Sequence, residues 1–299
     1  MNQGYTYTEI IGERGEGRAL LAYLAERYGH TSEAGWRERI EGGLVLLDGE
    51  HCDPAQVLRR KQILAWRRPP WNEPDVPLVC AVLYEDEDLL AVAKAAGLPT
   101  LPGGGFLEHT LLAVVRRRYP GASPVHRLGR GTSGIVLFAR TPRGRSALSL
   151  AWREHRVTKV YRALVEGCPA RADYTVEAPI GLVPHPVLGS VYAAVEGGKA
   201  SKSQVRVLKH EDNTSLVEVL IDTGRPHQIR IHMAACGHPL VGDPLYASGG
   251  AFRSEAPALP GDTGYLLHAM RLVLPHPGTG LEFRVECRPP AGLRTEAER

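Results

Sequence analysis

A basic, glycine-rich stretch contains the first candidate site residues of the sequence. It runs from His126 to Gly134 and leads into a mostly apolar segment, 135–140, that is typical of a buried strand. Three glycines within these nine residues allow backbone conformations and close ligand approach that other residues forbid. Because a polar loop anchored by a strand often carries site residues, the stretch is a candidate site. On composition alone it could equally be a basic surface turn.

Two later stretches place a tyrosine and an arginine in predicted elements. Segment 159–167, which carries Tyr161, alternates in its first half and is typical of a strand. Segment 222–232 contains Arg225, and the proline that follows it fits the first turn of a helix that Gly237 would end. Arg225 would then lie at the N-terminal approach of that helix, where anions bind favourably.

Short elements at the start of the chain predict a small α+β module over residues 1–68. The patterns indicate a strand at 5–10, a helix at 18–28, a second helix from residue 31 or 32 to residue 40, and a strand at 44–47. Segment 66–77 then holds four prolines, which fix the backbone and remove hydrogen-bond donors. We therefore place a stiff linker at 69–77.

The remaining chain predicts a larger domain, 78–290, followed by a polar and frayed tail, 291–299. Segment 181–199 is rich in glycine and proline and is predicted to be irregular. The patterns predict strands at 78–83, 89–93, 204–208, 216–221, 266–269 and 281–287, a helical face from Leu107 to Val115, and a helix from the Thr141–Pro142 pair to about Glu154.

Composition indicates a globular protein of a reducing compartment. The 299 residues suffice for one large or two modest domains. The net charge of +3 gives no overall basic field, although arginine clusters locally, as at 116–118. The five cysteines are far apart and show no metal-binding spacing, which favours free thiols. Without an apolar stretch of membrane-spanning length or a signal-peptide pattern, we expect a cytoplasmic protein that does not contact membranes.

Four blocks of the sequence resemble, in the right order, the motifs of RluA-type RNA pseudouridine synthases. Residues 126–134, HRLGRGTSG, resemble the HRLD-x-x-TSG signature, and residues 159–163 match the K-x-Y-x-A motif. Residues 84–98 resemble the family's first motif, with Lys94-Ala95 in place of the usual Lys-Pro. Residues 224–230 match G-R-x-H-Q-I-R. The resemblance covers about two thirds of the chain.

The resemblance implies the pseudouridine synthase fold, which is α+β with a mixed, mostly antiparallel central sheet flanked by helices. The N-terminal module is similar to the alpha-L RNA-binding module that often precedes such domains, although any small α+β cap would give a similar pattern. The implied partner is RNA, either tRNA or rRNA, and the implied state is a monomer. The family's reaction involves no metal and no small-molecule cofactor.

The family's reaction also implies roles for individual residues. Tyr161 would stack on the flipped uracil and help remove the proton at carbon 5, and Arg225 would pair with the catalytic aspartate. Arg127 would fill the gap left by the flipped base, or clamp a phosphate. Arg130 and Lys159 are further expected RNA contacts. Lys94 and His126 are expected to be structural, and His227, Gln228 and Arg230 to anchor their helix.

Gly129 stands where the family carries its catalytic aspartate, and glycine can neither attack nor accept a proton. Asp222 and Asp243 flank residues 224–230, which match the family's third motif, and could reach the site from the other side. Arg225 would lack its partner, so a phosphate or chloride could visit it. Three hypotheses follow: a working synthase in which another group acts on the sugar, a non-catalytic RNA-binding or RNA-remodelling protein, and a small-molecule enzyme unrelated to RNA.

Overall fold

The chain forms two compact units in a computed structural model that describes residues 1–185, 189–250, 252–253 and 261–299. The first unit is Met1–Glu73 and the second is Pro74–Arg299. The division between them lies inside the proline-rich segment 66–77. Within the described ranges, no helix combines the length and the apolar character needed to cross a bilayer.

The first unit is a four-stranded antiparallel sheet packed against two helices. Its apolar cluster includes Leu20, Leu24, Trp36 and Ile40 from the helices, all of them nearly inaccessible to solvent. The strands are arranged in the order β1-β4-β2-β3. The elements are β1 (Tyr5–Ile10), α1 (Leu20–Arg27), α2 (Glu33–Glu41), β2 (Val45–Leu47), β3 (Glu50–His51) and β4 (Ile63–Arg68).

The second unit is built on a large sheet with helices outside it. Its elements are β5 (Cys80–Glu85), β6 (Leu89–Lys94), α3 (Leu111–Arg118), β7 (Ser123–Pro124), β8 (Ser133–Ala139), α4 (Pro142–Arg153), β9 (Thr158–Glu166), β10 (Asp173–Val176), β11 (Ile180–His185), β12 (Gly189–Ala194), β13 (Ser203–Glu211), β14 (Thr214–Ile221), α5 (Gln228–Ala235), β15 (Leu267–Pro275) and β16 (Glu282–Glu286). Short 3₁₀ turns occur at Ser248–Gly250, Ala291–Leu293 and Glu296–Glu298.

The large sheet has the strand order β10-β13-β14-β9-β15-β8-β6-β5, with β16 paired to β15 and β7 paired to β8. The β8–β15 pair is parallel, and the other strand pairs of the described residues are antiparallel. This mixed, mostly antiparallel α+β architecture confirms the predicted fold class. The helix α4 begins as predicted, because the Thr141 hydroxyl accepts a hydrogen bond from the Gly144 amide and Pro142 occupies the first turn.

Residues 126–134 form a loop that runs into the start of β8, and we call it the motif loop. The parallel contact between β8 and β15 fixes the end of this loop. Ser133 pairs with His268, and Gly134 pairs with Ala269. Gly134 has a φ of 110°, and a side chain there would collide with the backbone of Ala269. Only glycine combines this conformation with so close an approach. The end of the motif loop is therefore held directly against the start of β15.

Several local predictions were wrong. Segment 181–199 was predicted to be irregular, but β11 and β12 form an antiparallel hairpin, of which residues 186–188 lie outside the described ranges. The helical face from Leu107 begins only at α3, since Thr110 caps the helix. Similarly, α5 begins after His227, whose φ of 55° is left-handed, and the preceding proline lies outside the helix.

The C-terminal tail is also ordered and was wrongly predicted to be frayed. The side chain of Thr295 caps the last 3₁₀ turn together with Glu298. Glu298 in turn accepts two hydrogen bonds from the buried guanidinium of Arg162, at 2.8 and 3.1 Å. This charged pair explains the order, because it gives the buried arginine on β9 its two shortest bonds, while Glu218 and the Leu293 carbonyl lie 3.7 and 3.4 Å away.

Candidate active site

A cavity of about 110 Å³ lies where the motif loop, β9 and the start of α5 meet the start of β15. It brings together the three predicted positions 129, 161 and 225. Its lining residues are Arg127, Leu128, Gly129, Thr132, Tyr161, Ile221, Arg225, His227, Gln228, Ile229, Arg230, Tyr265 and Leu267.

A buried lysine holds the backbone of the motif loop through hydrogen bonds. The ammonium of Lys94 donates to the carbonyl oxygens of Ala95, Leu98 and Arg130, at 2.9, 2.6 and 3.1 Å. Burial lowers the pKa of Lys94 to about 7. Three carbonyl acceptors match the three protons of an ammonium group. Lys94 is thus structural, and it fixes the backbone next to Gly129.

Two further bonds fix the rest of the loop. The Thr100 hydroxyl donates to the Leu128 carbonyl at 2.9 Å. The Nε2 atom of His126 accepts from the Leu137 amide at 3.1 Å, and its ring stacks on Trp152. Burial, with a smaller effect from a nearby lysine, lowers the pKa of His126 to about 4, so the ring is neutral at physiological pH. His126 therefore anchors the loop and does not line the cavity.

Gly129 lies directly beside a tyrosine that the sequence did not indicate as a site residue. A Cβ atom at position 129 would lie 2.9 Å from the hydroxyl oxygen of Tyr265 and 3.6 Å from that of Thr132. The two hydroxyl groups are themselves 3.2 Å apart and share a hydrogen bond. The guanidinium of Arg230 lies over the Tyr265 ring, 4.3 Å from its centre. The place where an aspartate would begin is therefore bounded by a phenol.

Tyr161 reaches the cavity from the middle of the sheet. It lies on β9, between Val219 of β14 and Ala269 of β15. Its side chain is half-buried, and its hydroxyl has no hydrogen bond to another described residue. Burial raises the pKa of Tyr161 to about 12. It is therefore a protonated phenol at neutral pH, with an unused hydroxyl at the cavity.

Arg225 is positioned through its backbone. The side-chain oxygen of Gln228 accepts from the Arg225 amide at 3.0 Å and from the Thr223 hydroxyl at 2.8 Å. The Nε atom of Arg225 donates to the Ala200 carbonyl at 3.1 Å. No carboxylate of the described residues forms an ion pair with it. Its charge therefore faces the cavity without an internal counter-ion.

The two aspartates proposed as substitutes do not line the cavity. Asp243 is fully buried and holds Arg230 through two bonds of 2.7 and 2.8 Å. Asp222 lies at the end of β14, where its carboxylate accepts a hydrogen bond of 3.4 Å from Gln204. No carboxylate from the described ranges lines the cavity. Asp243 thus pairs with Arg230, the arginine that lies over the Tyr265 ring.

His227 lines the cavity as a neutral ring. The Tyr246 hydroxyl donates to the Tyr192 carbonyl at 2.8 Å, so it accepts from the Nδ1 atom of His227 at 3.0 Å. Burial, followed by the charges of Arg230 and Arg127, lowers the pKa of His227 to about 4. The hydrogen bond at Nδ1 leaves Nε2 as an acceptor.

The three basic residues predicted to contact RNA have different environments. Arg127 is exposed, lines the cavity and has no hydrogen bond to another described residue. Arg130 instead donates to the Gly261 carbonyl at 2.9 Å and lies 3.5 Å from the Asp262 carboxylate. Lys159 is only 8% exposed and does not line the cavity. Of the three, only Arg127 joins Tyr161 at the site.

The cavity combines hydroxyl and cationic groups without a metal cluster. Nowhere in the described ranges do three His, Cys, Asp or Glu side chains lie close enough to hold one metal ion. Phenols and a neutral imidazole can donate or accept protons, and guanidinium groups can bind phosphate. The arrangement suits acid–base or nucleophilic chemistry on an anionic, ring-containing ligand. Tyr265 escaped sequence reasoning because it belongs to none of the four motif blocks.

Comparison with known proteins gives one consistent family. The family model described as RNA pseudouridylate synthase matches residues 88–235. An uncharacterized RNA pseudouridine synthase of Synechocystis is 43% identical over 92% of this chain and 96% of its own. The dual-specificity RNA pseudouridine synthase RluA of Escherichia coli is 37% identical over 70% of this chain and 93% of its own. The solved structure of human RNA pseudouridylate synthase domain containing 1 matches with a TM-score of 0.58 and 28% identity, over 73% and 86%.

Proposed function

The chain belongs to the RluA-type RNA pseudouridine synthase family, and on this premise we propose that it isomerises specific uridines of structured RNA, tRNA or rRNA, to pseudouridine. Gly129 then stands in the place of the family's catalytic aspartate. The observation that carries the proposal is the single cavity beside Gly129 that Tyr161, Arg225 and Arg127 line together. If the chain had lost its nucleophile and kept no function, these three side chains would have no shared role in the cavity.

Tyr161 is the proposed partner of the uracil ring. The reaction breaks the bond between carbon 1 of ribose and N1 of uracil, turns the base and rejoins it through carbon 5. A stacked uridine must first be flipped out of the RNA to be reached. A phenol whose pKa is about 12 stays protonated at neutral pH. Tyr161 can therefore accept the proton from carbon 5 only while it releases its own hydroxyl proton.

Arg225 and Arg127 are the proposed contacts to the RNA backbone and to the vacated stack. Neither has a carboxylate partner within the described chain, so each can bind a phosphate. Arg127 is exposed at the rim and has the length and the planar shape to replace the flipped base. Arg130 and Lys159 are further proposed RNA contacts; the side chain of Arg130 is partly exposed, whereas Lys159 is only 8% exposed.

Residues 1–68 form the proposed RNA-binding module, and residues 69–77 are the proposed linker that follows it in the sequence. The module brings additional affinity for the RNA, while the isomerisation takes place in the domain 78–290. The reaction has no net oxidation or reduction, so the proposal includes neither a cofactor nor a metal. We further propose that the protein acts as a monomer on cytoplasmic RNA.

A second candidate function rests on the absence of a carboxylate from the described cavity lining. A non-catalytic RNA-binding or RNA-remodelling protein would need cations and aromatic rings, but no group that acts on the sugar. Tyr161, Arg127 and Arg225 would serve such a protein equally well. The two functions differ in one respect only, the appearance of pseudouridine.

The test is a map of pseudouridine in total RNA from cells with and without the gene. The deletion strain is complemented with the wild type, with Tyr161→Phe or with Gly129→Asp, and each variant is checked for equal protein levels. Sites that vanish on deletion and return with the wild type only, or more weakly with Gly129→Asp, support the synthase. An unchanged map, RNA binding by the purified protein and new sites with Gly129→Asp would support the second function.

A further inference from the structure

The phenol of Tyr265 lies in tight contact with the position in which a side chain at 129 would begin. Its oxygen lies 2.9 Å from the Cβ that any other residue would carry there. A Cβ at Gly131 would lie 2.8 Å from two carbons of the same ring. The ring is 5% exposed and packs in the apolar cluster with Ile229 and Leu267, so it cannot swing away freely. Gly129 and Gly131 are therefore both in close contact with this one tyrosine.

The environment of Tyr265 favours chemistry at its oxygen. The oxygen shares a hydrogen bond with Thr132, and the Arg230 guanidinium lies over the ring. Asp243 holds this guanidinium in place through two hydrogen bonds of 2.7 and 2.8 Å. Tyr265 also lines the cavity that contains Tyr161 and Arg225.

We propose that Tyr265 is a catalytic residue whose phenolic oxygen acts on the ribose in place of the carboxylate that Gly129 lacks. This inference rests on the proposed synthase function. Tyrosine serves as the nucleophile at the anomeric carbon of a sugar in sialidases, so the chemistry is within reach of a phenol. A carboxylate and this phenol exclude one another sterically, which explains why glycine accompanies the tyrosine.

The step balances without a co-reactant. The Tyr265 oxygen bonds to carbon 1 of ribose as the bond from carbon 1 to N1 of uracil breaks. The electron pair of that bond and the phenolic proton both go to N1. After the base turns, carbon 5 attacks carbon 1, and the bond to the Tyr265 oxygen breaks with its electron pair on oxygen. Tyr161 takes up the proton of carbon 5 while its own hydroxyl proton passes to the Tyr265 oxygen, which restores both phenols.

The experiment measures single-turnover conversion in purified full-length protein, with RNA from the deletion strain as the substrate. Four proteins are compared with the wild type: Tyr265→Phe, Gly129→Asp, the double variant that combines them, and Tyr174→Phe as the matched control. Tyr174 is a partly buried tyrosine outside the cavity, and its hydroxyl has no hydrogen bond to a described residue. RNA binding and thermal unfolding are measured for each protein.

We expect Tyr265→Phe to lower the rate at least ~10²-fold, since an essential reacting group is lost, while RNA binding and folding are kept. Tyr174→Phe should match the wild type. The double variant should recover part of the rate, because the phenylalanine leaves room for the aspartate. A nucleotide mass on the Tyr265 peptide after acid quenching would add direct support.

A Tyr265→Phe rate within about threefold of an active wild type would overturn the inference and leave the synthase function intact. If the wild type converts nothing, the proposed function fails. Conversion by the double variant alone would then make Tyr265 a blocking residue. Should Tyr265→Phe not fold, Thr132→Val decides, because it removes the hydrogen-bond partner of the phenol but keeps the ring. An unchanged rate in Thr132→Val would then count against the proposal.

Discussion

The two faces of β9 use polar groups in opposite ways. Tyr161 points to the cavity, and its hydroxyl has no hydrogen bond to a described residue. Its neighbour Arg162 points to the other face, as strand geometry requires, and its guanidinium is bonded to Glu298 at the C-terminal end. On this strand, Arg162 is thus paired internally, while the Tyr161 hydroxyl is left for a ligand.

The same contrast separates the two arginines of the third motif. Arg230 is buried and bound by two bonds to Asp243, whereas Arg225 has one bond to a backbone carbonyl. Substitutions on the paired side should therefore change stability, and those on the unpaired side should change function. Five predictions test this division.

The largest effect is expected for Tyr161→Phe, which removes only an unbonded hydroxyl. Conversion of uridine should fall by ~10²–10⁴-fold, the usual contribution of an acid–base group. The melting temperature should stay within error, because the hydroxyl has no hydrogen bond to a described residue. Single-turnover kinetics and calorimetry measure the two quantities, with Tyr174→Phe as the control. A normal rate would show that the unpaired hydroxyl is not functional.

Asp243→Asn should give the largest loss of stability. It leaves the charge of Arg230 buried without its counter-ion, which should lower the free energy of unfolding by about 3–5 kcal/mol. Chemical denaturation measures the change. The paired substitution of Arg230→Met with Asp243→Leu removes both charges and should recover part of the loss. A loss below about 1 kcal/mol for Asp243→Asn would remove the contrast with Arg225.

Glu298→Gln should destabilise the protein by about 1–2 kcal/mol, since it weakens two charged hydrogen bonds to Arg162 at a partly exposed position. The hydrogen bonds from Arg162 lower the pKa of the Glu298 carboxyl to about 2, so the pair stays charged over the whole neutral range. Turnover per folded molecule should not change. A lower turnover at full folding would mean that the two faces of β9 are coupled.

Acid should destabilise the protein between about pH 6.5 and pH 4. His126 and His227 have pKa values lowered to about 4 in the folded chain, so the unfolded chain binds protons first as the pH falls. The free energy of unfolding should fall on the order of 1 kcal/mol per histidine, from pH 7 to pH 5. His126→Phe keeps the ring stack and should reduce this fall. Equal falls in both proteins would exclude His126 as a contributor.

Arg225→Gln should have the smallest effect on stability, within about 0.5 kcal/mol, since the side chain forms no ion pair with a described residue. RNA affinity should nevertheless decrease, and the dependence of log affinity on log salt should become shallower by about one unit if the arginine binds a phosphate. Fluorescence titrations at several salt concentrations measure both. An unchanged slope would place the contact away from phosphate.

The sequence was sufficient to predict which residues would meet at the cavity. Gly129, Tyr161 and Arg225 come from three separate blocks, and all three line it. The strand and helix periods also predicted most elements, such as β1 and α4, because apolar spacing and capping residues are local signals.

Contacts between distant parts of the chain could not be predicted in this way. Arg130 and Lys159 look like RNA contacts in the sequence, but the fold turns one toward Gly261 and buries the other. Tyr265 follows Gly129 by more than a hundred residues, and no periodic pattern relates the two. The tail was misjudged for the same reason, since its partner Arg162 is distant in sequence.

The parallel pairing of β8 with β15 has a consequence for biosynthesis. It joins Ser133 to His268, so the 135 residues that follow Ser133 must be synthesised before the motif loop gains its final support (268 − 133 = 135). A nascent chain that ends before residue 265 contains HRLGRGTSG but lacks the phenol beside it. The cavity therefore cannot be completed until most of the second unit has left the ribosome.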